Sequence, residues 1–211
     1  MKITIFGATG MVGGQVVKKA LATGHSVVAF GRNVSDLIDK DLASDSLTAF
    51  KGYIFDDTDV FNAIKDSDGI ISVLGGAPDG EDKTRSLGIK NIVTQMGKAH
   101  IKRIVALGGL GVLNADENTL IIDTPNYPKK FVAVGREHLA AYQYLQASNL
   151  EWTFICPADI KEEAPAGNYI TRINYPPEPN SCKITAEDLA AFLVKTVENN
   201  EFLHQKVGIC S

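Results

Sequence analysis

Residues 3–17 read ITIFGATGMVGGQVV. An apolar run ends in glycines spaced by three, Gly7, Gly10 and Gly13, and a segment of helical periodicity follows. Without a Cβ, glycine permits a tight turn and lets a ligand approach the backbone closely. The third glycine lets a helix pack against the strand it follows. The free N–H groups and dipole at a helix N-terminus favour negative charge, so strand, glycine turn and helix together suit a pyrophosphate. Thr9, Met11 and Val12 lie inside that cradle with the glycines. A glycine triplet alone is common, and its place between a strand and a helix gives it weight.

Outward from this unit, strand-like and helix-like segments alternate. Strands are predicted at Lys2–Phe6, 26–30, 48–54, 69–74, Arg103–Leu107, 151–156, 169–173 and 206–210. Helices are predicted at 12–23, 34–42, Asp57–Ile64, Thr84–Ala99 and within 127–147, the fourth with Leu87, Ile89, Ile92, Val93 and Met96 toward the core. A last helix opens at Thr185, with Asp188 in the position of a capping-box acid. Such alternation implies parallel strands joined by helical crossovers. The expected fold is α/β, a single-domain Rossmann fold over residues 1–211, with a doubly wound parallel sheet and a small C-terminal substrate-side cap.

Composition narrows the function classes. The 211 residues carry a net charge of −4, which disfavours a nucleic-acid backbone as partner. Three cysteines, Cys156, Cys182 and Cys210, form neither a CxxC pair nor a disulfide framework, and no histidine or carboxylate spacing points to a metal. No charged n-region with an apolar h-region opens the chain, and no apolar run reaches the ~18 residues of a membrane span, so the expectation is a cytoplasmic protein.

The end of the second strand discriminates between nucleotides. An acid there binds the free ribose hydroxyls of NAD. Here SVVAF is followed by Gly31-Arg32-Asn33. A guanidinium can fork onto a 2′-phosphate and stack on adenine, which favours NADP over NAD unless Asp36 pairs with Arg32.

IFGATGMVG, AFGRN, SDGIISVLGG, GIKNIVTQMGKAHIKRIVALGG and REHLAAYQYLQASNLEWTFICPADI cover nearly the whole chain. Together they resemble the atypical short-chain dehydrogenase/reductase group that binds NAD(P)H. Within it they resemble the biliverdin-IXβ reductase/flavin reductase type, alongside NmrA-like proteins. The resemblance implies that Leu74, Gly75 and Gly76 lie along the cofactor and that Tyr53 and Ile54 flank its adenine side. Leu107, Gly108, Gly109 and Pro157 would lie toward the nicotinamide. Three departures stand out. Tyr53 replaces an aspartate, Gly109 stands where a Ser or Thr is usual, and Asp159 stands where the biliverdin-reductase type has a histidine.

The catalytic group is not assigned by sequence. Tyrosine acids of short-chain dehydrogenases need Lys one helical turn later, whereas Tyr142 precedes Gln146 and Tyr127 precedes Phe131 at that spacing. His138 shares an apolar stripe with Val134, Ala141 and Leu145, the pattern of a packed core histidine. Asp159 either orients a substrate or caps its loop. Two functions fit. One is an NADPH-dependent oxidoreductase acting on a small planar substrate such as a flavin or quinone. The other is a non-catalytic NmrA-like NADP-binding redox sensor. Either could be a monomer or a homodimer, with no nucleic-acid or membrane partner.

Overall fold

The computed structural model describes residues 1–35, 45–77, 79–157, 159–179 and 183–211. The strands are β1 (Lys2–Phe6), β2 (Ser26–Gly31), β3 (Leu47–Lys51), β4 (Gly69–Ser72), β5 (Arg103–Leu107), β6 (Glu151–Pro157), β7 (Asp159–Lys161), β8 (Ile170–Ile173), β9 (Lys183–Thr185) and β10 (Gln205–Cys210). The α-helices are α1 (Met11–Ala22), α2 (Asp57–Ile64), α3 (Thr84–Ala99), α4 (Val132–Gln146) and α5 (Ala186–Glu198). Of the helix predicted at 34–42, residues 36–42, Asp36 among them, lie outside the described residues, as does Cys182.

Eight strands form one sheet in the order β3-β2-β1-β4-β5-β6-β10-β8. All neighbours are parallel except β8, which runs antiparallel to β10. The strand order reverses between β1 and β4, the switch point where doubly wound sheets bind ligands beyond their strand C-termini. The expected C-terminal addition splits in two. β10 and β8 extend the main sheet, while β7 and β9 form a separate parallel pair.

Apolar clusters cover both faces. α1 and α5 pack on one face through Val16, Val17, Ala20, Leu189, Leu193 and Val197. α2, α3 and α4 cover the other through Ile64, Ile92, Met96, Ala141 and Leu145. Leu87, expected toward the core, is 41 % exposed, because α3 turns Ser86, Gly88, Ile89, Ile92, Gln95 and Met96 inward. β3 is shorter than predicted. The chain turns at Gly52, where a Cβ would stand 2.6 Å from Phe30 Cε2. The cap of α5 forms through the Thr185 hydroxyl, which accepts from the Asp188 N–H at 3.1 Å. The buried Asp188 carboxylate accepts from the Thr185 hydroxyl at 2.7 Å and from the N–H groups of Ala166 and Gly167, at 2.8 and 3.2 Å, and so ties down that loop.

Arg103 joins the late elements to the early ones. Its Nη1 donates to the Glu151 carbonyl and the Thr153 hydroxyl, both at 2.8 Å. Its Nη2 donates to the carbonyls of Thr196 at 2.8 Å and Glu201 at 2.9 Å. Burial lowers its pKa to about 10, still far above neutrality, so the cation persists in the core. Removing it leaves buried acceptors unpaired, and bonds to charged groups contribute about 1.5–3 kcal/mol each. Arg103→Ala is expected to cost about 3 kcal/mol or more, a fall in Tm of roughly 6–12 °C in thermal unfolding.

Candidate functional site

A cavity of about 650 Å³ opens along the C-terminal ends of β2, β1, β4 and β5. The glycine turn forms its floor, and each glycine there has a different reason. Gly7 has φ +83°, and a Cβ on it would meet the Val73 carbonyl oxygen at 2.6 Å. A Cβ on Gly13 would stand 2.0 Å from the Gly7 carbonyl oxygen. Both are therefore demanded by packing within the chain. Gly10 is not, since its nearest neighbour to a Cβ would be the Gly7 carbonyl oxygen at 3.4 Å. What a side chain at Gly10 would fill is the cavity. Gly10 is also the N-cap of α1, with no side-chain cap and no acid in the first turn. The donors of that turn are thus left for a ligand.

Of the sequence-expected residues, Gly7, Thr9, Gly10, Met11, Val12, Gly13, Arg32, Tyr53, Ile54, Leu74, Gly75, Leu107 and Gly108 all line this cavity. Arg32 stands at the end of β2 with no ion pair among the described residues. Tyr53 is 50 % exposed at the rim, edge-on to Phe55 with ring centroids 5.2 Å apart, and offers an aromatic face beside Arg32. Its backbone N–H is held by the Asp59 carboxylate at 2.9 Å.

Gly76, Gly109 and Pro157 do not line it, and for the two glycines the reason is physical. A Cβ on Gly76 would stand 2.8 Å from Arg85 Nη1, and one on Gly109 would stand 3.0 Å from His138 Cδ2. These glycines make room for two polar side chains that reach the cavity past them. The space a side chain at Gly109 would take is thus filled by the His138 ring. Pro157 ends β6 as a buried strand residue.

Asp159 also lies off the cavity lining. Its side chain is 67 % exposed and pairs with Lys161 at 2.6 Å, which makes it a surface ion pair rather than a group aimed at a substrate. Ile160, the next residue, turns inward to the cavity instead. Neither sequence-tested tyrosine lines the cavity. Tyr142 packs against Trp152 and Phe154 with ring centroids 5.6 Å apart, and the Tyr127 hydroxyl stands 2.8 and 2.9 Å from where Cβ atoms on Gly111 and Gly135 would be.

His138 departs from the core role its stripe suggested. It lines the cavity, and its Nδ1 is buried without a hydrogen-bond partner among the described residues. Burial, reinforced by the nearby Arg85 charge, lowers its pKa to about 3, so the imidazole is neutral at physiological pH. Arg85, Asp82 and Thr84 line the same end. No sequence motif marked them. A periodicity count treats the first turn of α3 as surface, and only the fold shows that it borders the cavity.

The NAD(P)H-binding family model matches residues 7–200. The uncharacterized protein YwnB of Bacillus subtilis is 32 % identical over 163 residues, 75 % of this chain and 72 % of that protein. A Burkholderia pseudomallei structure, provisionally named as an exported protein, has 30 % identity and a TM-score of 0.86, with both chains covered in full. A Streptococcus pneumoniae structure, provisionally named an NADH-flavin reductase, has 25 % identity and a TM-score of 0.85, covering 100 % of this chain and 99 % of that one.

The uncapped first turn of α1 and the open space over Gly10 fit a dinucleotide pyrophosphate. Gly10→Val is therefore expected to fold, with near-native circular dichroism and thermal unfolding, and to give no fluorescence enhancement on titration with NADPH. A valine variant that binds NADPH like the parent contradicts the assignment.

Proposed function

The chain belongs to the NAD(P)H-binding family, and on that premise we propose that it is an NADPH-dependent reductase of small planar acceptors, of flavin or quinone type. The observation that carries this is the acceptor end of the cavity. Among the described residues, the only tyrosine on the cavity lining is Tyr53, past the end of β3 and away from His138, and the His138 imidazole is neutral. A positioned acid contributes about 10²–10⁴ to reactions that need one. Ketone reduction needs one. Flavins and quinones need it far less, because their reduced forms are stable anions that take a proton from water.

The residues divide the work. The first turn of α1 holds the pyrophosphate, Arg32 meets the 2′-phosphate, and Tyr53 offers its ring to the adenine. Leu74, Gly75, Leu107 and Gly108 form the wall toward the nicotinamide, where apolar Leu107 and Ile160 exclude water. When bound, the reduced nicotinamide supplies a hydride, two electrons with one proton, and the acceptor's second proton comes from solvent. No helix among the described residues is long and apolar enough to cross a membrane, and we place the protein in the cytoplasm.

Two measurements test the proposal. Steady-state NADPH oxidation with a panel of flavins, quinones and tetrapyrroles is expected to find at least one flavin or quinone that turns over. That rate is expected to survive Tyr127→Phe and Tyr142→Phe. A loss of ~100-fold in either variant reveals a tyrosine acid. Tight NADPH binding with no turnover on any acceptor favours the non-catalytic sensor instead.

Cofactor choice is tested separately. Calorimetric titration is expected to show tighter binding of NADPH than of NADH. Arg32→Ala is expected to weaken NADPH by about 1.5–3 kcal/mol, roughly 10- to 150-fold, and to change NADH little. Equal affinities in the parent would count against the assignment.

A further inference from the structure

Three sources of positive charge face the cavity, and they are spread across the sheet. Arg32 follows β2, the α1 N-terminus follows β1, and Arg85 lies beyond β4 beside His138, which stands over the residues after β5. From β2 to β5 is three strand spacings, about 14 Å. A dinucleotide with a 2′-phosphate uses the first two, one for that phosphate and one for the pyrophosphate. Arg85 is left over, at the far end.

Its surroundings show a cation fixed in place without a direct ion pair among the described residues. Nη2 donates to the Gly76 carbonyl at 2.9 Å and Nη1 to the Ala77 carbonyl at 3.2 Å. These bonds hold the guanidinium against the backbone and leave three of its five N–H donors unassigned. No carboxylate among the described residues comes within 4.0 Å of it. Two acids, Asp82 and Glu137, lie close enough to attract it, but their hydrogen bonds go to other groups. Asp82 accepts from the Thr84 N–H at 2.7 Å and from the Thr84 hydroxyl. Glu137 accepts from the Ser86 hydroxyl at 2.6 Å and from Lys83 Nζ at 3.0 Å. The neighbouring His138 adds no second charge, because it is neutral. A half-buried guanidinium that lines a cavity and lacks an ion pair is a ready partner for an anion, which it can bind through two parallel hydrogen bonds.

We propose that Arg85 is a specificity-determining residue and that the acceptor of this protein carries an acidic group, of the carboxylate kind, that Arg85 binds. This rests on the reductase reading for the word acceptor, and its binding claim is separable from turnover. Neutral flavins and quinones remain substrates of low affinity, and their acidic counterparts are preferred.

The test compares two probes of matched shape, anthraquinone-2-carboxylate and its carboxamide, binding to the NADP⁺-loaded full chain. Fluorescence quenching is expected to show the carboxylate bound at least tenfold more tightly than the carboxamide. In R85Q the two are expected to bind within about twofold of each other, while NADP⁺ affinity stays within twofold of the parent. R85K keeps the charge, and it is expected to retain a carboxylate preference, which covers the case where R85Q does not fold. Equal binding of the two probes by the parent overturns the proposal. So does an R85Q variant that keeps the tenfold preference, or one that loses NADP⁺ affinity together with both probes, which would assign Arg85 to the cofactor. Turnover is read in parallel. NADPH oxidation without a carboxylate preference sinks this proposal and leaves the reductase reading in place. A preference dependent on Arg85 without reduction of any probe, or of any flavin or quinone in the panel, supports the acid site and sinks the reductase reading.

Discussion

The backbone of α1 lies so close to the turn before it that only glycine fits between them. The Gly7 carbonyl oxygen occupies the space of a side chain at Gly13, and the Val73 carbonyl occupies that of one at Gly7. This three-layer contact of helix, turn and β4 end fixes where α1 begins relative to the sheet. With α1 so placed, its first turn opens onto the switch point between β1 and β4, and the cavity follows from the topology. Apolar packing of Val16, Val17 and Ala20 against α5 then holds the helix down on that contact. Loosening it would move the uncapped N–H donors away from the cavity they face.

Much of this was legible in the sequence because it depends on local pattern. Strand and helix periods gave the alternation, glycine spacing gave the cradle, and the residue after β2 gave Arg32. What the sequence hid depends on two distant segments meeting. Gly76 and Gly109 look like cofactor-contact glycines, yet each is small because a polar side chain from another helix passes over it. Arg85 lies 9 residues from the carbonyl of Gly76 that anchors it, across a loop with no regular pattern. His138 is apolar in its periodicity and polar in its setting. Asp159 and Ile160 alternate along β7, and alternation alone does not say which of the two faces inward.

The proposed acceptor end therefore differs in kind from the end proposed to hold the nucleotide. The nucleotide end is built of backbone, glycine and helix terminus, so its chemistry is set by the fold. The acceptor end is built of side chains from α3 and α4, which pack on each other through Lys83, Ser86 and Glu137. Side chains at those positions can change without disturbing the glycine turn. Such a division lets one scaffold keep its cofactor while its substrate varies.

Arg103 also sets an order of events during synthesis. Its partner carbonyl on Glu201 lies 98 residues further along the chain. At about 5–20 residues per second, roughly 5–20 s pass between the translation of the two. Through that interval β1 to β5 can pair while the guanidinium beyond them keeps its water. Closing the dry core over this cation is thus a late step, tied to the arrival of α5 and β10 rather than to the nucleotide-binding half that the ribosome finishes first.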